Sequence, residues 1–132
     1  MPHDRDQLRD FARRYTEAWC SQQPTRVAAH YAADGRITVN GAAPAPILEV
    51  AGSFMAAFPD MVISMDDVIE REDGPIEYHW TLDGTNTGPG GTGNHVRISG
   101  FETWTIGENG PVASSVGTFD QAEYERQVAE GF

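Results

Sequence analysis

The sequence predicts an α+β fold, helices first and a sheet afterwards, on three observations. Apolar residues in the first half recur at three- and four-residue spacing. From Met61 onward the period changes to two. The period-two runs are separated by stretches rich in turn-forming residues. A chain that runs through its helices and then its strands hides both apolar surfaces by laying helices on one face of a sheet.

The opening helix spans 4–21, where Leu8, Phe11, Tyr15, Ala18 and Trp19 form a stripe and Arg9, Arg13, Arg14 and Glu17 lie off it. After "QQPT", Pro24 and Thr25 start a short helix running to Tyr31. "GRITVNG" alternates as a strand with Ile37 and Val39 on one face. A third helix, "ILEVAGSFMAAF", follows Pro44 and Pro46 and stops at Pro59. Four strands come next, "MVISMDDVIE", "IEYHWTLDGTN", "HVRISGFETWTI" and "PVASSVGTF". Their connections "REDGP", "TGPGGTGN" and "GENG" imply antiparallel hairpins. "DQAEYERQVAE" closes the chain as a helix capped by Asp120. The reading gives a single domain over 1–132.

"GPGGTG" matches the G-x-G-x-x-G spacing of dinucleotide sites through Gly88, Gly90 and Gly93. That motif works only between a strand and a helix N-terminus in a parallel unit. Here a strand-like run follows, so the stretch reads as a hairpin loop.

Composition narrows the function. The formal net charge is −11, and all nine basic residues are Arg. Such a surface repels nucleic-acid backbones and anionic membranes, and without Lys there is no Schiff-base or P-loop lysine. No apolar run approaches the roughly 18 residues of a membrane span, and the first residues are polar rather than signal-like; a cytoplasmic protein is expected. Cys20, the lone cysteine, excludes an internal disulfide and reads as a small buried residue. His3, His30, His79 and His95 have no ligand spacing, so no metal is expected. No G-x-S-x-G elbow is present, and no cofactor is called for.

Parity along the strands points to an interior. Val96, Ile98, Gly100, Glu102, Trp104 and Ile106 share the apolar face of their run, which places a carboxyl in an apolar wall. Glu102 is then paired, neutral with a raised pKa, or at a cavity rim; a bulge that turns it elsewhere is the competing reading. Ile76, Tyr78, Trp80, Leu82 and Asn86 share a second face, with His79 pointing outward. Val112, Ser114, Val116, Thr118 and Asp120 share a third. Asn86, Glu102 and Asp120 meet at one cavity if register holds. Trp19, Trp80 and Trp104 either wall that cavity or are plain core.

The phrases "FPD", "DDVIE", "WTLDGTNTG", "SGFETWTI" and "FD", with Tyr124 and Gln127 in the tail, resemble SnoaL-like proteins, the polyketide (ester) cyclase group of the nuclear-transport-factor-2-like superfamily. The resemblance covers essentially the whole chain. It implies a cone-shaped α+β barrel, a strongly curved, mainly antiparallel sheet wrapped around three helices about one pocket, and a homodimer joined through the outer sheet face. The chain departs from the group at Asn86, at Asn94, and at Ser114 and Val116, where a Glu-x-Trp pair is usual. The group's acid/base work falls to an Asp and a His in the pocket; Asp120 is retained, while His95 lies on the outer parity.

More distantly the chain is similar to ketosteroid isomerase. Tyr15 and Glu102 match in position the two donors of that enzyme's oxyanion hole, whereas the base position falls at Val39 or Asn40, where there is no carboxylate. The resemblance therefore implies a cofactor-free enzyme acting on a hydrophobic, carbonyl-bearing molecule, a cyclase, isomerase or dehydratase. Tyr15 and Glu102 are its candidate donors and Asp120 its candidate base. Trp19, Asn40, Trp80, Asn86, Trp104, Ser114 and Val116 are its candidate pocket wall. Tyr15 as a core residue, Asp120 as a plain helix cap, and a non-catalytic dimeric module for a small hydrophobic ligand remain the alternatives.

Overall fold

Helix α1, Arg5–Trp19, buries Leu8, Tyr15, Ala18 and Trp19 of the stripe that the spacing predicts, with Ala12 buried in place of half-buried Phe11. The computed structural model describes residues 5–71, 74–107 and 110–132. His3, Asp4 and parts of the "REDGP" and "GENG" connections lie outside these. Helix α2, Pro24–Ala28, starts on a proline whose missing N–H is not needed in a first turn. Strand β1, Tyr31–Val39, and the two-residue β2, Ala45–Pro46, lead into α3, Ile47–Ala57. Strands β3 (Val62–Glu70), β4 (Ile76–Thr85), β5 (His95–Ile106) and β6 (Val112–Phe119) follow. Helix α4, Gln121–Glu130, begins where Asp120 Oδ1 accepts the Glu123 N–H at 3.0 Å.

The sheet order is β2-β1-β6-β5-β4-β3. All pairings are antiparallel except β1 with β6, which is parallel. The expected barrel is thereby corrected. Closure requires the outermost strands to pair with a defined stagger, but β2 and β3 end the order without meeting. The sheet is mixed and open, neither closed nor strongly curled. β2, only two residues long, offers little edge on which closure could be built.

Three local departures from the expected elements have physical causes. β1 starts at Tyr31, earlier than "GRITVNG", because the Val112 N–H donates to the His30 carbonyl at 2.9 Å and draws this segment onto β6. Cys20, expected to be buried, is exposed; it lies one residue past the end of α1, off the buried stripe, with its sulfur 3.3 Å from the Ile63 nitrogen. In β6, Ile106 pairs with Val112 but Thr105 pairs with Ser114, so Ala113 is an extra residue. This bulge reverses the parity after Val112.

"GPGGTG" forms part of the loop between β4 and β5. The Gly88 N–H donates to the Ala57 carbonyl at 3.2 Å, and a Cβ at 88 would fall 1.9 Å from the Ala56 carbonyl oxygen. Close approach to α3 is what this glycine permits.

Candidate functional site

Glu102 lies in the middle of β5, between Tyr78 on β4 and Gly117 on β6. It is 5% exposed. Its Oε1 accepts from the Tyr15 hydroxyl at 2.8 Å and the Trp104 Nε1–H at 2.9 Å, with the Tyr31 hydroxyl farther off at 3.5 Å. Tyr15 arrives from the buried stripe of α1 and Tyr31 from the start of β1. Their hydroxyls are 2.9 Å apart, and that of Tyr31 also donates to Ser115 Oγ at 3.0 Å. No hydrogen bond to the second carboxyl oxygen, Oε2, is found among the described residues.

The rings around this network are tightly set. Tyr78 and Trp104 stack with centroids 5.0 Å apart, and Tyr15 meets both edge-on at 5.2 and 5.1 Å. Burial drives the Glu102 pKa above its ordinary value, against the opposing pull of Trp104, Tyr15 and Tyr31. Burial also pushes the phenols of Tyr15, Tyr31 and Tyr78 upward, and the nearby Glu102 charge adds to the shift in each. Two close donors on one oxygen, with the single Tyr31 hydroxyl proton shared between that oxygen and Ser115, are an unusual provision for a group whose burial favours the neutral state. They keep the carboxylate accessible when a proton leaves.

Glu102 forms part of the wall of a cavity with about 500 Å³ of empty space, counting solvent at its mouth. Ile37, Ile63, Tyr78 and Leu82 make its buried part, while Val39, Val50, Phe54 and Phe119 are half-exposed and form its rim. Gly117 sits directly across the ladder from Glu102, and a Cβ there would come no nearer than 3.7 Å to another atom. Trp19 and Trp80 complete the wall. The Nε1–H of each is buried without a hydrogen-bond partner among the described residues. A buried donor left unpaired costs on the order of 1–3 kcal/mol. Trp19 Nε1 lies near enough to Tyr15 to favour its ionised form, but not in hydrogen-bond geometry.

Of the residues expected at the site, Tyr15 and Trp104 are joined to Glu102 by hydrogen bonds, and Glu102, Trp19 and Trp80 line the cavity; Trp104, expected on the wall, lies fully buried behind Glu102 and does not line it. The others lie elsewhere. Asp120 is exposed and spends Oδ1 on capping α4. Ser114 and Val116, expected on the pocket wall, point to the outer face, because the Ala113 bulge turns Ser115 and Gly117 inward instead. Asn86 is buried but braces its own loop, accepting the Thr92 N–H at 2.9 Å. Asn40, at a positive φ of 50°, ties β1 to α4 through Phe119 N–H and Gln121. His79 stacks on Phe101 on the outer face, and exposed His95 pairs with Asp83 at 3.1 Å. No cluster of three or more potential metal ligands occurs among the described residues. No helix among them is long and apolar enough to cross a membrane.

Sequence reasoning missed Tyr31, Ser115 and Gly117. Counting by twos back from Ile37 does not find Tyr31, because the register shifts between Tyr31 and Arg36 and Ala33 is exposed; the helix expected to run to Tyr31 concealed it.

An open mixed sheet carries on its inner face a buried carboxyl in a cavity walled by aromatic side chains, which is the usual make-up of a small-molecule pocket. The SnoaL-like polyketide cyclase family model matches residues 9–128, and the chain belongs to that family. No curated protein matches it. Among solved structures it is similar to BvnE pinacolase from Penicillium brevicompactum, at 15% identity over 98% of this chain and 94% of that one, with a TM-score of 0.75. The epoxide hydrolase/cyclase-like enzyme SalBIII of pyran ring formation in salinomycin matches at 15% identity over 91% and 95%, with a TM-score of 0.75. A protein of ketosteroid isomerase-like fold from Catenulispora acidiphila, in complex with trimethylamine, matches at 12% over 91% and 92%, with a TM-score of 0.76. Identities this low establish a shared fold.

Proposed function

We propose that the chain is an enzyme for a hydrophobic molecule bearing a carbonyl or ether oxygen, and that protonated Glu102 is its general acid. The supporting observation is the asymmetry of that carboxyl: Oε1 holds its donors while Oε2 has no partner among the described residues. A substrate oxygen in the cavity accepts the Oε2 proton. Its carbon becomes electrophilic and is attacked within the same molecule, and the product returns a proton to the Glu102 carboxylate. While Glu102 is ionised, Tyr15, Trp104 and Tyr31 hold the charge. Among the described residues, Tyr78 is beside Glu102 the one acidic side chain in the cavity wall, and its phenol is held well above its ordinary range. One group giving and recovering one proton suits ring closure, ring opening or isomerisation, reactions that consume no net proton. Enzymes for related chemistry occur among its structural relatives, SalBIII and BvnE pinacolase.

A binding module that performs no chemistry is the second reading. It is favoured by Asp120, the candidate base, being spent on capping α4. The exposed Val62 and Val116 and the Phe101–His79 stack on the outer sheet face support a homodimer there, which analytical ultracentrifugation tests.

Carbon-detected NMR of the Glu102 carboxyl, with turnover of cyclic ketones, keto esters and epoxides by the native chain and Glu102→Gln, separates the two functions. The enzyme reading requires a raised pKa and a turnover lost at least about 100-fold in the variant. Ordinary titration, or equal turnover by both chains, leaves the binding module.

A further inference from the structure

Among the side chains that line the cavity, four carry polar atoms: Trp19, Tyr78, Trp80 and Glu102. The Tyr78 hydroxyl is engaged with Thr16, and Glu102 Oε1 with its donors. What remains for a ligand is Oε2 and two indole N–H groups without partners among the described residues. The Trp80 indole is held in place by β5. Gly100 is its cross-strand neighbour, and a Cβ there would lie 2.8 Å from Trp80 Cζ2 and 2.4 Å from the Thr118 carbonyl. The absent side chain lets a large ring lie across the strand toward the cavity.

We propose that the cavity selects a neutral, hydrophobic ligand with two separated oxygen acceptors, one meeting Glu102 and the other the Trp80 Nε1–H. This deepens the function proposed above and rests on it for the use of the cavity. The competing occupant is a quaternary ammonium ion, since aromatic walls and a net charge of −11 both attract cations. A cation takes ring faces and leaves both N–H groups unpaired, whereas an oxygen acceptor removes the deficit at Trp80. Both indole nitrogens are shut off from water, so an acceptor reaches Trp80 Nε1 as the Trp80 ring shifts against Phe119. Their rings meet edge-on at 5.9 Å beside the half-exposed rim.

Three compounds of nearly equal shape test this: tetralin with no oxygen, 1-tetralone with one and 4-chromanone with two. Tetramethylammonium serves as the cationic probe. The indole resonances of Trp19, Trp80 and Trp104 are followed by proton–nitrogen NMR during titration of the native chain. The expected result is a downfield shift of the Trp80 N–H with 4-chromanone and not with tetralin, and binding at least about fivefold tighter than that of 1-tetralone. Trp80→Phe removes that advantage, so that the ratio of 4-chromanone to 1-tetralone affinity falls toward one whatever the change in tetralin affinity. The proposal is overturned by equal affinity for the three compounds, by a Trp80 shift common to tetralin, by tighter binding of tetramethylammonium, or by no binding up to the solubility limit. Failure of the Glu102 reading shows separately, as a Trp104 resonance that titrates with an ordinary carboxyl pKa in the absence of any probe.

Discussion

Glu102 and Gly117 face each other across the β5–β6 ladder, and the space that a side chain at 117 would fill belongs to the cavity. A Cβ at 117 meets Ile37 Cδ1 at 3.7 Å and Glu102 Cγ at 3.8 Å, both ordinary contacts. Gly117→Ala is therefore expected to fold and to gain about 0.5 kcal/mol, as alanine usually does over glycine inside a strand. Gly117→Val narrows the cavity further and weakens 1-tetralone binding more than Gly117→Ala does. Thermal melts and a binding isotherm for each variant check both expectations.

Protonation of Glu102 gives stability a definite pH slope. Its folded pKa is raised, so the folded chain binds more protons than the unfolded chain at pH values between the two. The stabilisation is fully present below the ordinary value of 4.5 and is lost as pH rises through the folded value. Glu102→Gln keeps a carbonyl oxygen for Tyr15 and Trp104 and has no proton to lose. The melting temperature of the native chain is expected to fall relative to the variant across that window. Parallel curves contradict the assignment.

The donors on Oε1 oppose burial in the order Trp104, Tyr15, Tyr31. Replacing each by Phe removes one donor, so the Glu102 pKa should rise further in all three variants, most in Trp104→Phe and least in Tyr31→Phe. Carboxyl NMR of the variants reads the order directly. Tyr15→Phe should cost about 1 kcal/mol, because the other donors keep Oε1 satisfied.

Asp120 separates two roles through one pair of variants. Asp120→Asn retains a side-chain oxygen for the Glu123 N–H, whereas Asp120→Ala leaves it unpaired. Loss of the cap is expected to cost about 1 kcal/mol and asparagine far less. If turnover of a substrate falls in Asp120→Asn while the melting temperature holds, the residue does more than cap α4.

Gly88→Ala is expected to destabilise the chain by roughly 1–3 kcal/mol, the range for forcing atoms into filled space. The new carbon would sit 1.9 Å from the Ala56 carbonyl oxygen. A melting temperature unchanged from that of the native chain would falsify the tight packing of this loop on α3.

The parts of the site legible in the sequence are those carried by uninterrupted alternation. β4 and β5 keep register through all their paired residues, so counting by twos correctly puts Tyr78, Trp80, Glu102 and Trp104 on one face. Tyr15 was legible from helical spacing, since a stripe of five buried residues tolerates no other phase. Ser115 and Gly117 were not legible, because a bulge adds a residue without any hydrophobic signature. The open sheet was hidden for another reason. Alternation reports which face is buried and says nothing of whether the outer strands meet; that depends on pairing partners far apart in sequence, such as β1 with β6.

Ala113 has a consequence for how such a cavity can be re-cut. Ser114 and Val116 face solvent because Ala113 stands outside the ladder as a bulge; taking Ala113 into regular pairing with Thr105 would swing both inward and carry Ser115 and Gly117 out. The Tyr31 hydroxyl would lose its serine, and a valine would stand opposite Glu102. A slip of one residue in this ladder thus rewrites several wall positions at once, whereas any one substitution rewrites a single position. The register of β6 is a second alphabet in which the interior of this protein is written.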